Sequence, residues 1–218
     1  RGLIFSGIIF FGIELLNIPF SFYHTFVIEE KYGFNRTRLK TFILDLIKSW
    51  ILSIIIGGIL LVILIFLFEK FNRLAWLYCW VAVSLFEIFL VFIAPVLILP
   101  LFNKFMPLED KELTELIYNY AKRENFPIKS IFKIDASRRS TKTNAFFVGF
   151  SKFRRIGLFD TLLKNYTKEE ILTILAHEIG HYKKKHFIKN LFLSIFNIGF
   201  LFFLFSFFVY NKDFFFVL

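Results

Sequence analysis

The chain has 218 residues, of which 57% are hydrophobic and 35 are phenylalanine, and its mean hydropathy is +0.64. These values exclude an ordinary soluble domain and predict an integral membrane protein. The net charge of +10 does not indicate nucleic-acid binding, because the basic residues flank apolar segments, where anionic lipid headgroups attract them. We therefore expect the lipid bilayer as a partner and no nucleic acid.

Taken in chain order, four apolar segments are long enough to cross a bilayer, which requires about 20 largely apolar residues. A basic loop, residues 24–46, follows the first of them. The four predicted spans cover residues 3–22, 47–68, 74–101 and 187–209.

A single long polar stretch separates the third and fourth spans. Its pattern predicts a helix over residues 109–124, then the segment "FPIKSIFKID", then two short strands, "NAFFVGF" and "FRRIGLF", then a final helix. The predicted fold is an all-α polytopic membrane protein with a small α+β domain inserted between transmembrane helices.

The final helix of the polar stretch carries a metal-binding motif. It is predicted over residues 167–186, since Thr167 and Glu170 form a capping-box pattern. Within "LAHEIGH", His177 and His181 are four residues apart and project from one helix face, as two ligands of a zinc ion must. Glu178 is the expected base that takes a proton from a zinc-activated water, so the predicted reaction is peptide hydrolysis.

The motif leaves the zinc ion one protein ligand short. His186 is nine residues after His177, and on a continuous helix it faces away from the metal. The zinc proteases that use a third histidine have a glycine at the position of Lys184 and the histidine at the position of Phe187. That class is therefore excluded unless the helix breaks early. After His186 the only acidic residue is Asp213. We expect the third ligand, a carboxylate, to lie outside this chain.

The ends of the sequence also indicate a fragment. It begins at Arg1 in an apolar segment and stops at Leu218 within the apolar run "FFFVL". With two of the three ligands present, we expect this piece by itself to be inactive and to bind zinc weakly. The three predicted regions are a transmembrane region with three spans (1–102), a zinc metalloprotease domain (103–186) and a fourth span (187–218).

Polar residues within the predicted spans are candidates for function. Burying Glu14, Glu87 or Asn197 in a bilayer is costly, so each is expected to face a cavity or a partner. Glu87 is the stronger candidate, with a plain structural hydrogen bond as the alternative. Cys79 is the single cysteine, which excludes an intrachain disulfide and predicts a packing role.

The distribution of basic residues predicts the orientation. Loop 24–46 carries four of them, whereas the turn on the other side of the membrane carries Lys70 and Arg73. The positive-inside rule therefore places the loop, and with it the zinc helix, on the cytosolic side.

Several segments together resemble the zinc-dependent CAAX prenyl proteases. They are "IPFSFYHTFVIEEKYGFN", "TNAFFVGF", "RRIGLFDTLL" and "LAHEIGHYKKKH", and they occur in the family's order over nearly the whole chain. The resemblance implies an endoplasmic-reticulum membrane protease that removes the last three residues after a prenylated cysteine, so the expected partners are the C-termini of prenylated CAAX proteins.

The resemblance also implies roles for individual residues. His177 and His181 are the expected ligands of one Zn²⁺ per chain, Glu178 is the catalytic residue, and Asn144 and Ala145 contact the substrate backbone. The third ligand is then a glutamate beyond Leu218.

The chain departs from the family pattern at two positions. Lys142 stands where a histidine is expected, and Tyr182 stands where a tryptophan commonly follows the second zinc ligand. Two alternatives remain at this stage: a membrane quality-control zinc protease, which should lack the loop "TFVIEEKYGFN", and a non-catalytic membrane scaffold.

Overall fold

A computed structural model describes residues 2–148 and 154–210, with side-chain burial defined up to residue 208. The chain forms two compact units. The first comprises Arg1–Leu16, Leu44–Val91 and Phe187–Leu218, and the second comprises Asn17–Ile43 and Phe92–His186. These units are defined by spatial contact, so the predicted division into three functional regions stays a prediction.

Long apolar helices make up most of the first unit. Their surfaces are apolar on every side, as in helices that face lipid; Leu16 in α1 and Phe192 in α9, for example, are 70% and 73% exposed. The helices are α1 (Gly2–Tyr23), α2 (Leu39–Leu52), α3 (Gly58–Phe71), α4 (Ala75–Ile93) and α9 (His186–Tyr210), and α1 and α9 each continue into or begin in the second unit.

Among the described residues, three helical segments have the length and composition to cross a membrane: Gly2–Glu29, Leu39–Phe102 and His186–Phe208. The middle segment turns back on itself at Asn72, whose φ is 41°. Cys79 lies after this turn, and its Sγ is 3.8 Å from the carbonyl oxygen of Leu64. On one straight helix, 15 residues would separate them by about 22 Å.

The middle segment therefore contains two antiparallel spans, the second and third that the sequence predicts. Cys79 is fully buried and unpaired with any other cysteine, as its predicted packing role requires.

Two of the polar residues in the spans have defined surroundings. Trp50 Nε1 donates a hydrogen bond of 3.3 Å to Glu14, which matches the expectation of a partner. Glu87 differs, because its Oε2 is buried without a hydrogen-bond partner among the described residues, and the same holds for Ser84 Oγ one helical turn earlier. The structural hydrogen bond considered for Glu87 is thus absent from its Oε2 within the described part of the chain. A functional role for Glu87 stays a prediction.

The second unit contains a four-stranded sheet in the order β1-β2-β4-β3. β2 (Ser130–Ile134) and β4 (Arg155–Phe159) pair in parallel at its centre. β1 (Phe105–Pro107) pairs antiparallel with β2, and β3 (Ala145–Val148) pairs antiparallel with β4. The two predicted strands are confirmed as β3 and β4, whereas β1 and β2 were not predicted.

Two helices pack their apolar faces with this sheet into one core. α6 (Lys111–Arg123) confirms the helix predicted over residues 109–124, and α8 (Lys168–Lys183) is the predicted metal helix. A short helix, α5 (Leu99–Phe102), leads into β1, and another, α7 (Asp160–Asn165), links β4 to α8. The most buried core side chains are Leu113, Ile117, Ile156, Leu158, Leu162, Ile171 and Leu175.

Gly157 in β4 occupies a closely packed position. A Cβ atom at this position would lie 2.7 Å from Ile134 Cδ1 and 3.0 Å from Phe146 Cζ. The first distance is shorter than Cβ contacts in proteins and the second is at their lower limit, so a side chain here would require the ends of the Ile134 and Phe146 side chains to move.

Candidate metal centre

α8 begins as its sequence predicts. The Thr167 Oγ1 accepts a hydrogen bond from the Glu170 N–H, and the Glu170 carboxylate accepts one from the Thr167 N–H at 2.8 Å, which completes the capping box. This arrangement satisfies N–H groups that have no partner within the helix.

The apolar residues of α8 decide which way its histidines point. Ile171, Leu175 and Ile179 recur every four residues and are all buried. His177 and His181 lie on the opposite side of the helix, since His177 is about 200° round from Leu175 at 100° per residue. Burial of the apolar face therefore turns both imidazoles outward, and both are exposed.

The two predicted zinc ligands converge. His177 Nε2 and His181 Nε2 are 3.0 Å apart, and their ring centroids are 4.6 Å apart. Two imidazole nitrogens aimed at one point can share a single metal ion, and neutral imidazole is a preferred zinc donor. The donor chemistry and the convergence of this pair therefore fit a zinc ion.

Glu178 follows the first ligand directly and is half-buried. No hydrogen bond or ion pair engages its carboxylate within residues 2–148 and 154–210, whereas the carboxylate of Glu170 caps the start of the same helix. A carboxylate left uncommitted beside a metal ligand is available to accept a proton.

His186 does not face away from the metal ligands, and the prediction that it does is wrong. α8 ends at Lys183, three residues earlier than predicted, and Lys185 adopts a left-handed φ of 56°. His186 then begins α9, and its Nδ1 is 2.8 Å from the Nδ1 of His181. The early helix break thus brings a third imidazole to the pair, but against the nitrogen of His181 that points away from His177.

A third metal ligand is not defined by the described residues. Within them, no group of three or more His, Cys, Asp or Glu side chains is arranged to hold an ion. Asp213, the only acidic residue after His186, lies outside the described residues. The predicted glutamate beyond Leu218 stays a prediction.

The predicted substrate-binding residues lie at the start of an edge strand. Asn144 precedes β3, its carbonyl oxygen accepts a hydrogen bond from the Phe159 N–H, and its Oδ1 accepts one from the Ala145 N–H. Ala145 is buried and opens β3, which packs on α8 and pairs with β4 along one of its two edges. Within the described part of the chain, the other edge of β3 has no partner strand and lies near the metal helix. The contact of Asn144 and Ala145 with substrate stays a prediction.

The loop within "IPFSFYHTFVIEEKYGFN" contacts the residues that lead into β3. Lys142 Nζ lies 2.6 Å from Glu29 Oε1 and 5.2 Å from the centre of the Phe34 ring. The Thr141 hydroxyl donates to the carbonyl oxygen of Gly33, where the chain turns with a φ of 72°. Sequence reasoning missed the pairing of Glu29 with Lys142, since residues 113 positions apart carry no local signal of contact.

Ion pairs connect both ends of α8 to α6 and to the residues that flank α6. At the start, Lys168 bonds to Glu112 and pairs with Asp110; at the end, Lys183 bonds to Glu124. The start of α8 contacts the start of α6 and the two ends also meet, so the two helices run parallel. The hydrogen bond and charge of Lys183 hold the pKa of Glu124 below its usual range, and the bond to Glu112 raises the pKa of Lys168.

A cation–aromatic cluster also fixes the end of α8. The Arg154 guanidinium lies 4.4 Å from the centre of the Phe126 ring and 4.5 Å from that of Tyr182, next to the second ligand. Tyr182, which stands where the resemblance leads one to expect a tryptophan, thus makes an aromatic contact with Phe126.

Comparison with known proteins agrees with this arrangement. Residues 107–215 match the profile of peptidase family M48, and residues 1–104 match the profile described as CAAX prenyl protease N-terminal, five membrane helices. The chain therefore belongs to peptidase family M48 and is a multi-pass membrane protein. The predicted fold class, an all-α polytopic membrane protein with a small α+β zincin-like domain inserted between its helices, is confirmed.

The chain is also similar to individual CAAX prenyl proteases and to a solved structure. The chain is 43% identical to the probable CAAX prenyl protease 1 of Schizosaccharomyces pombe over 95% of its own length and 45% of that protein. It is 33% identical to the human CAAX prenyl protease 1 homolog over 91% of this chain and 50% of that protein. It also matches the crystal structure of S. mikatae Ste24p, with 42% identity and a TM-score of 0.89, over 94% of this chain and 48% of the other.

These matches confirm the resemblance to the CAAX prenyl proteases. The chain spans about half the length of the relatives it matches.

Proposed function

We propose that the full-length protein containing this chain is a membrane-embedded zinc metalloendopeptidase that removes the C-terminal tripeptide of prenylated CAAX proteins. The observation that carries the proposal is the convergence of His177 and His181 beside Glu178 and an edge of β3, where neither the Glu178 carboxylate nor the strand edge has a partner among the described residues. The names of the relatives, CAAX prenyl protease 1 and its homologs, support the substrate class.

In this mechanism each residue has one task. Zinc, when bound, would act as a Lewis acid that lowers the pKa of a water molecule and polarises the scissile carbonyl. His177 and His181 would hold the ion. The Glu178 carboxylate takes a proton from the attacking water as the water oxygen bonds to the carbonyl carbon. Glu178 then gives that proton to the nitrogen of the departing tripeptide as the C–N bond breaks, so the carboxylate is restored.

The edge of β3 offers a way to hold an extended substrate. A peptide that adds to this edge gains main-chain hydrogen bonds whatever its side chains are. We propose that Asn144, at the start of the strand, contacts the substrate backbone with its side-chain amide. We further propose an endoplasmic-reticulum location with the zinc helix on the cytosolic side, on the strength of the basic 24–46 loop.

Of the alternatives, a quality-control protease of the same class is disfavoured by the loop before Asn35. That loop is expected only in the CAAX proteases, and here its Glu29 and Gly33 hold the segment leading to Asn144. A non-catalytic scaffold is disfavoured by the intact His177, Glu178 and His181.

The proposal is tested by Glu178→Gln in the full-length protein. Cleavage of a farnesylated CAAX peptide should fall by about 10²–10⁴-fold, the typical contribution of a general base, while zinc content stays stoichiometric because both histidines remain. Glu169→Gln, the same change on the same helix at an exposed position, is the control and should retain full activity. If Glu178→Gln keeps activity within tenfold of wild type, the assignment of Glu178 is wrong.

A further inference from the structure

His181 has a different neighbour at each ring nitrogen. Its Nε2 faces His177 Nε2 at 3.0 Å, and its Nδ1 faces His186 Nδ1 at 2.8 Å. The rings of His181 and His186 stand nearly perpendicular, at 80°, with centroids 4.8 Å apart. One side of His181 is therefore directed to the metal position and the other side to His186.

We propose that His186 is a positioning residue that accepts a hydrogen bond from His181 Nδ1–H and so holds His181 as a metal ligand. The inference rests on the proposed function, since it concerns the ligand that would hold zinc. It assigns to His186 no contact with the ion and none with substrate.

The physical reason lies in the tautomers of imidazole. A neutral imidazole carries one ring hydrogen, so a metal-binding Nε2 lone pair requires the hydrogen to be on Nδ1. An acceptor at Nδ1 favours that tautomer and fixes the rotation of the ring. His181 is exposed, so water could also accept this hydrogen, but a mobile water would leave the ring free to turn. Metal-ligating histidines usually have such a partner, and its loss typically costs about 10- to 100-fold in metal affinity.

The contact depends on the break between α8 and α9. On a continuous helix His186 would sit about 140° round from His181, too far to touch it. The left-handed Lys185 reverses the chain locally, and the half-buried His186 falls back beside His181. The structure is thus built so that the first residue of α9 meets the second ligand of α8.

The test compares three variants of the full-length protein: His186→Ala, His186→Asn and Lys184→Ala. Asparagine keeps a polar atom near the position of His Nδ1. Lys184 lies in the same turn, and its side chain makes no hydrogen bond or ion pair among the described residues. Zinc affinity is measured by competition with a chelator, and the ligand geometry by the visible absorption spectrum of the cobalt-substituted protein. A thermal unfolding curve for each variant reports on folding.

For His186→Ala we expect a 10- to 100-fold loss of zinc affinity and an altered cobalt spectrum at an unchanged unfolding midpoint. His186→Asn should recover most of the affinity, and Lys184→Ala should match wild type. The inference is overturned if His186→Ala binds zinc within threefold of wild type, or if its only effect is a lower unfolding midpoint.

The same experiment separates this inference from the proposed function. If the wild-type protein fails to hold stoichiometric zinc or to cleave the farnesylated peptide, the proposed function fails, whatever the variants do. If the wild type does both and His186→Ala behaves identically, only the role of His186 is refuted.

Discussion

Helices α8 and α9 follow each other with only Lys184 and Lys185 between them, yet they bury their side chains in different ways. α8 buries one stripe, Ile171, Leu175 and Ile179, and turns its histidines to the opposite side. α9 is apolar around its whole surface, and Leu201, for example, is 63% exposed. A stripe specifies a direction for every other side chain on its helix, whereas a uniformly apolar surface does not.

The comparison predicts that core truncation will affect the two helices unequally. Leu175→Ala removes a fully buried side chain and should destabilise the protein by about 2–5 kcal/mol. Leu201→Ala makes the same change at an exposed position of α9 and should cost less than about 0.5 kcal/mol. Thermal unfolding in detergent measures both, and equal losses would show that the α9 surface is packed as tightly as the α8 stripe.

One position of α9 should break this rule. A Cβ atom at Gly199 would lie 2.7 Å from the Cε2 and Nε1 atoms of Trp80, whose indole N–H donates to the carbonyl oxygen of Ile195 at 2.8 Å. Gly199→Ala should therefore destabilise the membrane helices by about 1–3 kcal/mol through overpacking.

The matched control for that change is Gly12→Ala, since a Cβ built at Gly12 would meet no described atom within 4 Å apart from its neighbours along the helix backbone. It should be neutral or stabilising by up to about 1 kcal/mol, as glycine is a poor helix former. A Gly199→Ala protein as stable as Gly12→Ala would refute the close approach of Trp80.

A smaller, pH-dependent effect is expected at the end of α8. The pKa of Glu124 is lowered in the folded state by the hydrogen bond and charge of Lys183, so the pair stabilises the fold above the unfolded pKa of about 4.5. This contribution is lost as the pH falls through the lower, folded pKa. Because both groups are partly exposed, it is small.

The measurement is the difference in unfolding midpoint between wild type and Glu124→Gln. It should be present at pH 7 and should shrink as the pH falls from 4.5 toward 3. A difference that stays constant over this range would mean that the Lys183–Glu124 pair does not contribute through charge.

The last prediction is that the protein carries no N-linked glycan, and it tests on which side of the membrane α8 lies. Two acceptor patterns for N-glycosylation, at Asn35 and Asn165, are both predicted to face the cytosol. Glycans are attached in the lumen, so the full-length protein expressed in a eukaryotic host should not change mobility on endoglycosidase treatment. Because Asn35 follows a membrane span closely, Asn165 is the informative site. A glycan at Asn165 would overturn the predicted orientation.

Local patterns carried most of what the sequence predicted correctly. The capping box of Thr167 and Glu170 fixed the start of α8, and the four-residue spacing of His177 and His181 placed both imidazoles on one face. β2 also has a local signal in the sequence, because Ile131, Phe132 and Ile134 are typical strand residues. Its partner β1 has only three residues and forms by pairing with β2.

The sequence by itself determined the membrane class, the metal helix and the pair of imidazoles, because composition, helical period and capping are properties of neighbouring residues. Only the tertiary structure decided where α8 ends and that Glu29 meets Lys142. Lysine is a good helix former, and "YKKKH" contains no glycine or proline to announce a break. The break at Lys185 is instead specific to the folded chain, and because of it His186 lies beside His181 rather than on the far side of a longer helix.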